Sequence, residues 1–266
     1  MADLIAKNGG QPVVAPSTQE LPIGSNPQVL NFISELLAFQ FHCVIFLTGV
    51  GTRLLAKEAE AICSPEQFTA ALARTTVVAR GPKPVAVLRE LGVPIAVTVP
   101  EPNTWREILE VLDQRSDQIP LTGRRIAVQE YGVPSAELLD GLRQRGAEVI
   151  PVRVYRWALP EDVAPLQAAV GALTQHDIDV ALFTSSVQLQ HLLQVAAQMN
   201  LQREVISALS RVVVGSIGPV TSEELREHGI EVDLEPEHPR MGFLVRETGE
   251  RAAEVLRKKK HVAAES

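Results

Sequence analysis

Five short turns, each following an apolar segment, carry the residues best suited to chemistry in this chain of 266 residues. Each turn combines small residues with hydroxyl, basic or aromatic side chains. Turns from strand to helix present free backbone N–H groups, which bind anions. The turns therefore predict a cleft between two domains that takes an anionic ligand. The candidate binding residues are Thr48, Gly49, Val50, Gly51, Arg53, Arg80, Gly81, Lys83, Tyr131, Gly132, Ser185, Ser186, Gly218, Pro219 and Thr221.

The glycines of these turns also have a purely conformational explanation, because tight turns need glycine with or without a ligand. Gly49 and Gly51 lack the third glycine of a dinucleotide fingerprint, and the chain has no phosphate-binding lysine motif. No nucleotide cofactor is therefore predicted. Five of the six histidines have no partner at ligand spacing, and the two cysteines lack CxxC spacing, so no metal is predicted either. The sixth, His238, follows a predicted strand in a possible cleft loop and is a minor catalytic candidate.

Tyr155 is the candidate catalytic residue. It lies between Arg153 and Arg156, in a segment that we expect to cross between domains. A phenol at that place can donate a hydrogen bond or a proton into a cleft. Packing of the ring is the alternative explanation, and Trp105 and Trp157 are interpreted as packing residues. No Ser/His/Asp or Cys/His constellation can be assembled, which disfavours hydrolysis through a covalent intermediate.

An internal repeat organises these turns. Phe46 and Phe183, Gly81 and Gly218, and Gly92 and Gly229 mark equivalent positions, 137 residues apart in each case. A repeat of this length indicates paired domains rather than a solenoid of short units. Apolar segments rich in β-branched residues alternate with helical patterns, as is typical of parallel sheets covered by helices.

We therefore predict an α/β fold with two flavodoxin-like parallel-sheet domains, one inserted into the other and joined by a two-stranded linker. The outer domain is predicted over residues 1–18 and 158–266, the inserted domain over 24–150, and the linker strands over 17–23 and 151–157. Strands are predicted near 12–16, 41–47, 75–80, 95–99, 123–130, 148–156, 180–185, 212–217 and 231–235. Helices are predicted at 26–38, 50–61, 65–74, 83–91, 104–115, 135–145, 161–175, 186–199, 220–228 and 241–258.

The outer copy of the repeat lacks one strand. In the inner copy, residues 123–129 form a strand before the helix that ends near Gly146, whereas the outer copy begins at Met1 inside the equivalent helix. In the strand order 2-1-3-4-5 of a flavodoxin-like sheet, that strand is central. We therefore expect a start codon assigned too late or a shortened chain. Adding an upstream in-frame segment is expected to raise soluble yield or melting temperature.

Composition restricts the possible partners. A formal net charge of −7 argues against a broad nucleic-acid surface. No apolar run approaches the roughly 18 residues of a membrane-spanning helix, and Met1–Lys7 lacks the features of a signal peptide. We therefore expect a cytoplasmic monomer with a small-molecule ligand and with neither a nucleic-acid nor a membrane partner.

Taken together, these segments resemble the uroporphyrinogen-III synthase family. The family fold, two flavodoxin-like domains joined by a two-stranded ladder with one domain inserted in the other, agrees with the order of the repeat. The matching pieces span nearly the whole chain and are Phe46–Thr52, Ala79–Gly92, Val128–Gly132, Gly146–Tyr155, Phe183–Ser186, Ile217–Gly229 and Pro239–Leu244.

The resemblance implies a cofactor-free hydro-lyase of porphyrin and heme biosynthesis. Such an enzyme closes hydroxymethylbilane, a linear tetrapyrrole rich in carboxylates, into uroporphyrinogen III. Tyr155 would correspond to the family's tyrosine in the crossing strand, which assists departure of the hydroxyl, and Thr48, Ser185 and Thr221 would match its hydroxyl positions. Pro84 stands where many members have threonine. The alternative is a tetrapyrrole-binding sensor or regulatory module of the same fold without turnover.

Overall fold

The structure is a computed structural model that describes residues 1–24 and 26–265. Ser25 and Ser266, which fall inside the predicted domain ranges, lie outside the described residues. The chain divides into two compact units. The outer unit comprises Met1–Gln19 and Ala158–Ser266, and the inner unit comprises Glu20–Trp157. Across the described residues, every helix is too short or too polar to cross a membrane.

Helices and strands alternate through most of the chain. The strands are β1 (Gln19–Pro22), β2 (Cys43–Phe46), β3 (Thr76–Ala79), β4 (Val97–Thr98), β5 (Arg125–Gln129), β6 (Glu148–Val152), β7 (Tyr155–Ala158), β8 (Val180–Phe183) and β9 (Val213–Ser216). The helices are α1 (Ala2–Lys7), α2 (Pro27–Leu37), α3 (Gly49–Ala59), α4 (Pro65–Ala73), α5 (Pro82–Glu90), α6 (Trp105–Gln114), α7 (Ala136–Gln144), α8 (Ala164–Thr174), α9 (Ser186–Gln198), α10 (Gln202–Leu209), α11 (Pro219–Glu227) and α12 (Met241–Glu265).

The inner unit is built on a parallel sheet with the strand order β4-β3-β2-β5-β6. Counted from β5, this is the order 2-1-3-4-5, and β5 lies inside the sheet between β2 and β6. All four residues of β2 are buried, as expected for a strand covered on both faces. The predicted α/β class with parallel sheets is confirmed.

Two apolar clusters fill the two faces of this sheet, because successive strand residues point to opposite sides. Val44 and Phe46 belong to one cluster, which also contains Tyr155. Cys43 and Ile45 belong to the other. The carboxyl ends of β2, β3 and β5 therefore emerge from a closely packed support. These are the ends that carry the predicted inner-unit turns.

Strands β1 and β7 form a separate two-stranded sheet. The chain passes from the outer to the inner unit after Gln19 and returns after Trp157, so both passages lie in this ladder. The strand predicted over 148–156 is interrupted, since β6 ends at Val152 and β7 begins at Tyr155. Tyr155 is thus the first residue of the returning strand.

The outer unit contains the parallel pair β8-β9 and a single bridge between Gly215 and Leu234. The prediction of a strand at 12–16 is wrong, since these residues form no strand in the part of the chain that the structure describes, and Val13 and Val14 are exposed. Pro12 and Pro16 at the two ends of the segment have no N–H to donate to a sheet. The strand predicted at 231–235 is reduced to that one bridge. Helix α10 was not predicted, since it is only eight residues long and has no side-chain cap.

Strand β8 differs from its repeat equivalent β2. In the inner sheet, β2 pairs with β3 on one side and with β5 on the other. Within the described residues, β8 pairs only with β9. Three of the four β8 residues are partly exposed, whereas every β2 residue is buried. The outer sheet therefore has an edge at the position that is interior in the inner sheet.

Candidate functional site

The N-terminus of α3 is held by side-chain hydrogen bonds. The Thr48 hydroxyl accepts from the Gly51 N–H at 3.0 Å and thereby caps the helix. The Thr48 N–H donates to Gln129 Oε1 at 3.2 Å, from the end of β5. A Cβ placed on Gly51 would lie 1.9 Å from Gln129 Nε2, and one on Gly49 would lie 2.9 Å from the Lys83 carbonyl oxygen. A Cβ on Gly49 would therefore clash with backbone, and one on Gly51 would displace the Gln129 amide.

Tyr155 is hydrogen-bonded to Thr48 as well. Its side chain is almost fully buried, and its hydroxyl donates to Thr48 Oγ1 at 3.4 Å. Burial raises the pKa of Tyr155 to about 12, while the bond to Thr48 and the charge of Arg80 act in the opposite direction. The phenol is therefore neutral at physiological pH and retains a proton that it can donate.

Arg80 supplies a positive charge that acts on Tyr155 and lowers its pKa. Its guanidinium carbon lies 5.5 Å from the centroid of the Tyr131 ring. Burial lowers the pKa of Arg80, and the groups that raise it are Tyr131 and Tyr155. Within the described residues, no carboxylate forms a salt bridge with Arg80. A half-buried guanidinium without a carboxylate partner favours binding of an anion.

The turn that carries Arg80 is held by hydrogen bonds from the side chain of Asn103. With its side-chain nitrogen facing two carbonyls, Asn103 donates to the Arg80 carbonyl at 2.7 Å and to the Val99 carbonyl at 3.0 Å. A Cβ on Gly81 would lie 2.8 Å from the same amide group. The main chain at Arg80 is therefore held in place, and a side chain at position 81 would displace the amide that holds it.

The loop between β5 and α7 closes the site. Glu130 is fully buried and accepts from the Ser135 N–H at 3.0 Å and from two Arg153 nitrogens, each at 3.1 Å. Gly132 has a φ of +92°, and a Cβ there would lie 2.8 Å from both Tyr155 and Trp157. Only glycine fits this position, because the backbone is left-handed and two aromatic rings lie against it.

The structure brings together five of the predicted inner-unit residues, which we call the tyrosine site: Thr48, Arg80, Tyr131, Gly132 and Tyr155. Four neighbours were missed by sequence reasoning, namely Asn103, Gln129, Glu130 and Trp157. Gln129 and Glu130 did carry a signal in the sequence, because they are polar residues at the end of an apolar strand; the structure shows that both are fully buried.

The remaining predicted inner-unit cations do not join the tyrosine site. Arg53 pairs with Glu90 at the far end of α5, with Nη2 and Oε2 2.8 Å apart, and both side chains are exposed. Lys83 is exposed near the start of α5, and Val50 is exposed in the first turn of α3. Of the three basic residues predicted to bind an anion, Arg80 alone contacts the residues around Tyr155.

The predicted outer-unit residues lie at the starts of two helices. Ser185 is the N-cap of α9, and Ser186 is its first residue and is buried. Gly218 is the N-cap of α11, Pro219 follows it, and Thr221 is buried. The Gly218 N–H donates to Ser216 Oγ at 3.4 Å, so one of the amides predicted to face a ligand has a partner within its own turn.

We expect ionisation of Tyr155 to make the stability of the inner unit depend on alkaline pH. Because its pKa is raised to about 12 from an ordinary value near 10, the unfolded chain ionises first as the pH rises. The free energy of unfolding that the raised pKa adds is fully present below about pH 10 and is lost as the pH rises toward 12. Between pH 9 and 11, the free energy of unfolding of the native protein is expected to fall by about 1 kcal/mol more than that of Tyr155→Phe.

Urea unfolding followed by tryptophan fluorescence measures this difference, because both tryptophans lie in the inner unit. Burial also raises the pKa of Cys43, but this thiol is present in both proteins, so its effect cancels. Equal losses of stability in the two proteins would contradict the burial of the phenol.

Comparisons with known proteins agree over nearly the whole chain. A family model described as "Uroporphyrinogen-III synthase HemD" matches residues 1–246. The chain is 28% identical over 249 residues to the uncharacterized protein YjjA of Bacillus subtilis, covering 92% of this chain and 88% of that protein.

Two solved structures of uroporphyrinogen III synthase from the extremely thermophilic bacterium Thermus thermophilus are also similar. A mutant form is 25% identical, with a TM-score of 0.68, and covers 96% of this chain and 94% of its own. The wild-type form is 26% identical, with a TM-score of 0.53, and covers 95% of this chain and 92% of its own. The likeness therefore extends over both units.

Proposed function

Because this chain belongs to the uroporphyrinogen-III synthase family, we propose that it closes hydroxymethylbilane into uroporphyrinogen III, with loss of water and inversion of ring D. The observation that carries the proposal is the tyrosine site. It combines the buried, neutral phenol of Tyr155 with the Arg80 guanidinium, which lies 5.5 Å from the Tyr131 ring, acts electrostatically on Tyr155 and has no carboxylate partner among the described residues. The first group suits a departing hydroxyl, and the second suits the carboxylates of the substrate.

In the first step, Tyr155 donates a hydrogen bond or a proton to the hydroxyl on ring A. The carbon–oxygen bond breaks, the proton from Tyr155 leaves with the hydroxyl as water, and electrons from the ring A nitrogen form an electrophilic, protonated azafulvene. The proton that ring D loses when the macrocycle closes returns to the Tyr155 oxygen. The pKa of about 12 keeps the phenol protonated. It also makes the phenol a weaker acid than a free tyrosine, so the acceleration we expect is the low end of the range for a positioned acid, roughly 100-fold.

In the following steps, ring D attacks through its substituted carbon, forms a spiro intermediate and rearranges so that the ring is inverted. The substrate loses water without gain or loss of electrons, so the proposed reaction requires no redox partner. The protein must hold a flexible chain so that this carbon, rather than the unsubstituted one, meets the electrophile. The proposal is therefore one of catalysis by orientation, assisted by one acid.

Arg80 is proposed to bind a substrate carboxylate close to the reacting carbon. Binding an anion there would compensate the half-buried guanidinium for the hydration that it has lost. We further propose that Ser185, Ser186, Gly218, Pro219 and Thr221 bind other carboxylates. Action as a cytoplasmic monomer stays a prediction from the sequence.

The proposed function is tested by adding purified protein to freshly prepared hydroxymethylbilane and separating the product isomers. Without inversion the bilane closes to the type I isomer, so formation of type III at a rate proportional to protein concentration supports the proposal. Only type I product, at the rate found without protein, would overturn it. Tight binding of the bilane without type III product would favour the sensor instead.

Replacement of Arg80 by methionine is expected to raise KM for hydroxymethylbilane about tenfold or more, with a smaller change in kcat, since charged hydrogen bonds contribute about 1.5–3 kcal/mol. Methionine keeps the apolar part of the side chain and removes the charge. Arg89→Met is the matched control, because Arg89 is an exposed residue of α5 outside the tyrosine site. Equal KM values for the two variants would exclude Arg80 as a carboxylate ligand.

A further inference from the structure

Trp157 contacts Tyr155 directly. The two residues are separated by one position on β7 and therefore share a face of the strand. Their ring centroids are 5.6 Å apart and the rings are nearly perpendicular, at 84°. This edge-to-face geometry is a favourable aromatic arrangement. The indole therefore forms one wall of the space occupied by the Tyr155 ring.

Trp157 is itself fixed by the loop that closes the site. Its indole N–H donates to the Tyr131 carbonyl at 2.7 Å. The next residue of the loop, Gly132, leaves no room for a Cβ between the Tyr155 and Trp157 rings. One indole thus links the β5–α7 loop to the strand that carries Tyr155.

The phenol needs this support because its own hydrogen bond is weak. At 3.4 Å, the bond from the Tyr155 hydroxyl to Thr48 Oγ1 is long for two hydroxyl groups. The Thr48 oxygen also accepts from the Gly51 N–H at 3.0 Å. The orientation of the ring is therefore determined chiefly by what packs against it.

We infer that Trp157 is a positioning residue, which holds the Tyr155 ring and the Tyr131–Gly132 loop in one arrangement for the dehydration step. This inference rests on the proposed function, since it assigns Trp157 a role through Tyr155. Trp157 does not touch the reacting atoms. Its effect is to limit the directions in which the phenol can point, which matters because misplacement of a catalytic group by about 1 Å can reduce a rate 100-fold.

Trp157→Phe tests whether the indole N–H holds the Tyr131–Gly132 loop, because phenylalanine keeps an aromatic ring but removes the N–H donor. Trp105→Phe is the matched control, since Trp105 lies in the same unit, at the start of α6 and outside the tyrosine site. Hydrogen exchange of peptides covering 130–136 is measured first, without substrate. We expect exchange at least tenfold faster in Trp157→Phe and unchanged in Trp105→Phe.

The rate is then measured in two backgrounds. Trp157→Phe is expected to lower kcat about tenfold in the native background, with little change in KM, and less than twofold when Tyr155 is already phenylalanine. Such non-additivity identifies two residues that act together, whereas general destabilisation lowers the rate equally in both backgrounds.

Equal losses of kcat in the two backgrounds, or unchanged exchange of the loop in Trp157→Phe, would overturn the positioning role. Failure of the proposed function is recognised separately, because the native protein would then yield no type III isomer. That result would overturn the role of Trp157 in the dehydration step, even if hydrogen exchange of the loop had increased as expected.

Discussion

We expect Tyr155→Phe to lower kcat for type III product by about 100-fold, with little change in KM. A factor of about 100 is the low end of what a positioned acid contributes to a rate. The substitution removes one oxygen. The only hydrogen-bond partner of that oxygen in the described residues is the Thr48 hydroxyl, which still accepts a hydrogen bond from the Gly51 N–H in the variant. The ring stays packed against Trp157, so the fold is expected to survive.

The measurement is steady-state kinetics on hydroxymethylbilane with separation of isomers, accompanied by thermal unfolding at pH 7. Trp105→Phe serves again as an aromatic control outside the site. A Tyr155→Phe protein with kcat within threefold of native would exclude the phenol as the acid. A large fall in melting temperature, by contrast, would show that the hydroxyl is mainly a structural group.

Gly51→Ala is expected to destabilise the inner unit by roughly 3 kcal/mol or more, combining overpacking with displaced buried hydrogen bonds. The added Cβ would lie 1.9 Å from Gln129 Nε2. Gln129 is fully buried, accepts from the Thr48 N–H and donates to the Glu130 carbonyl. The amide therefore cannot move aside without giving up buried partners.

Gly24→Ala is the matched control in the same unit, because a Cβ there meets nothing within 4 Å. Its effect is expected to stay within about 0.5 kcal/mol. Urea unfolding followed by tryptophan fluorescence reports the inner unit for both variants, since Trp105 and Trp157 lie there. Similar midpoints for the two proteins would show that Gln129 can be displaced at little cost.

The regular part of the fold could be predicted from the sequence because its elements depend on local patterns. The apolar run around Cys43–Phe46 predicts a buried strand, and the helical pattern at 50–61 predicts α3 to within two residues at each end. Segment 12–16 has a similar apolar composition and yet is not a strand. A strand depends on hydrogen bonds from a neighbour, which composition does not reveal.

The site could be predicted only in outline. Sequence reasoning selected Tyr155 and Arg80, but it also selected Arg53, whose long side chain pairs with Glu90. The side chain of a basic residue near a turn can point toward a ligand or toward a neighbouring helix, and the spacing is the same in both cases. Trp157 was interpreted as packing, since an indole N–H bond to a carbonyl leaves no pattern in the sequence.

The edge of β8 has a consequence for how the protein behaves in solution. A strand that pairs on one side only, within the described residues, offers N–H and C=O groups to any extended segment that approaches, including a second copy of itself. The formal charge of −7 repels such copies at low salt. Salt screens that repulsion, so we expect any edge-to-edge association to increase with ionic strength and with protein concentration.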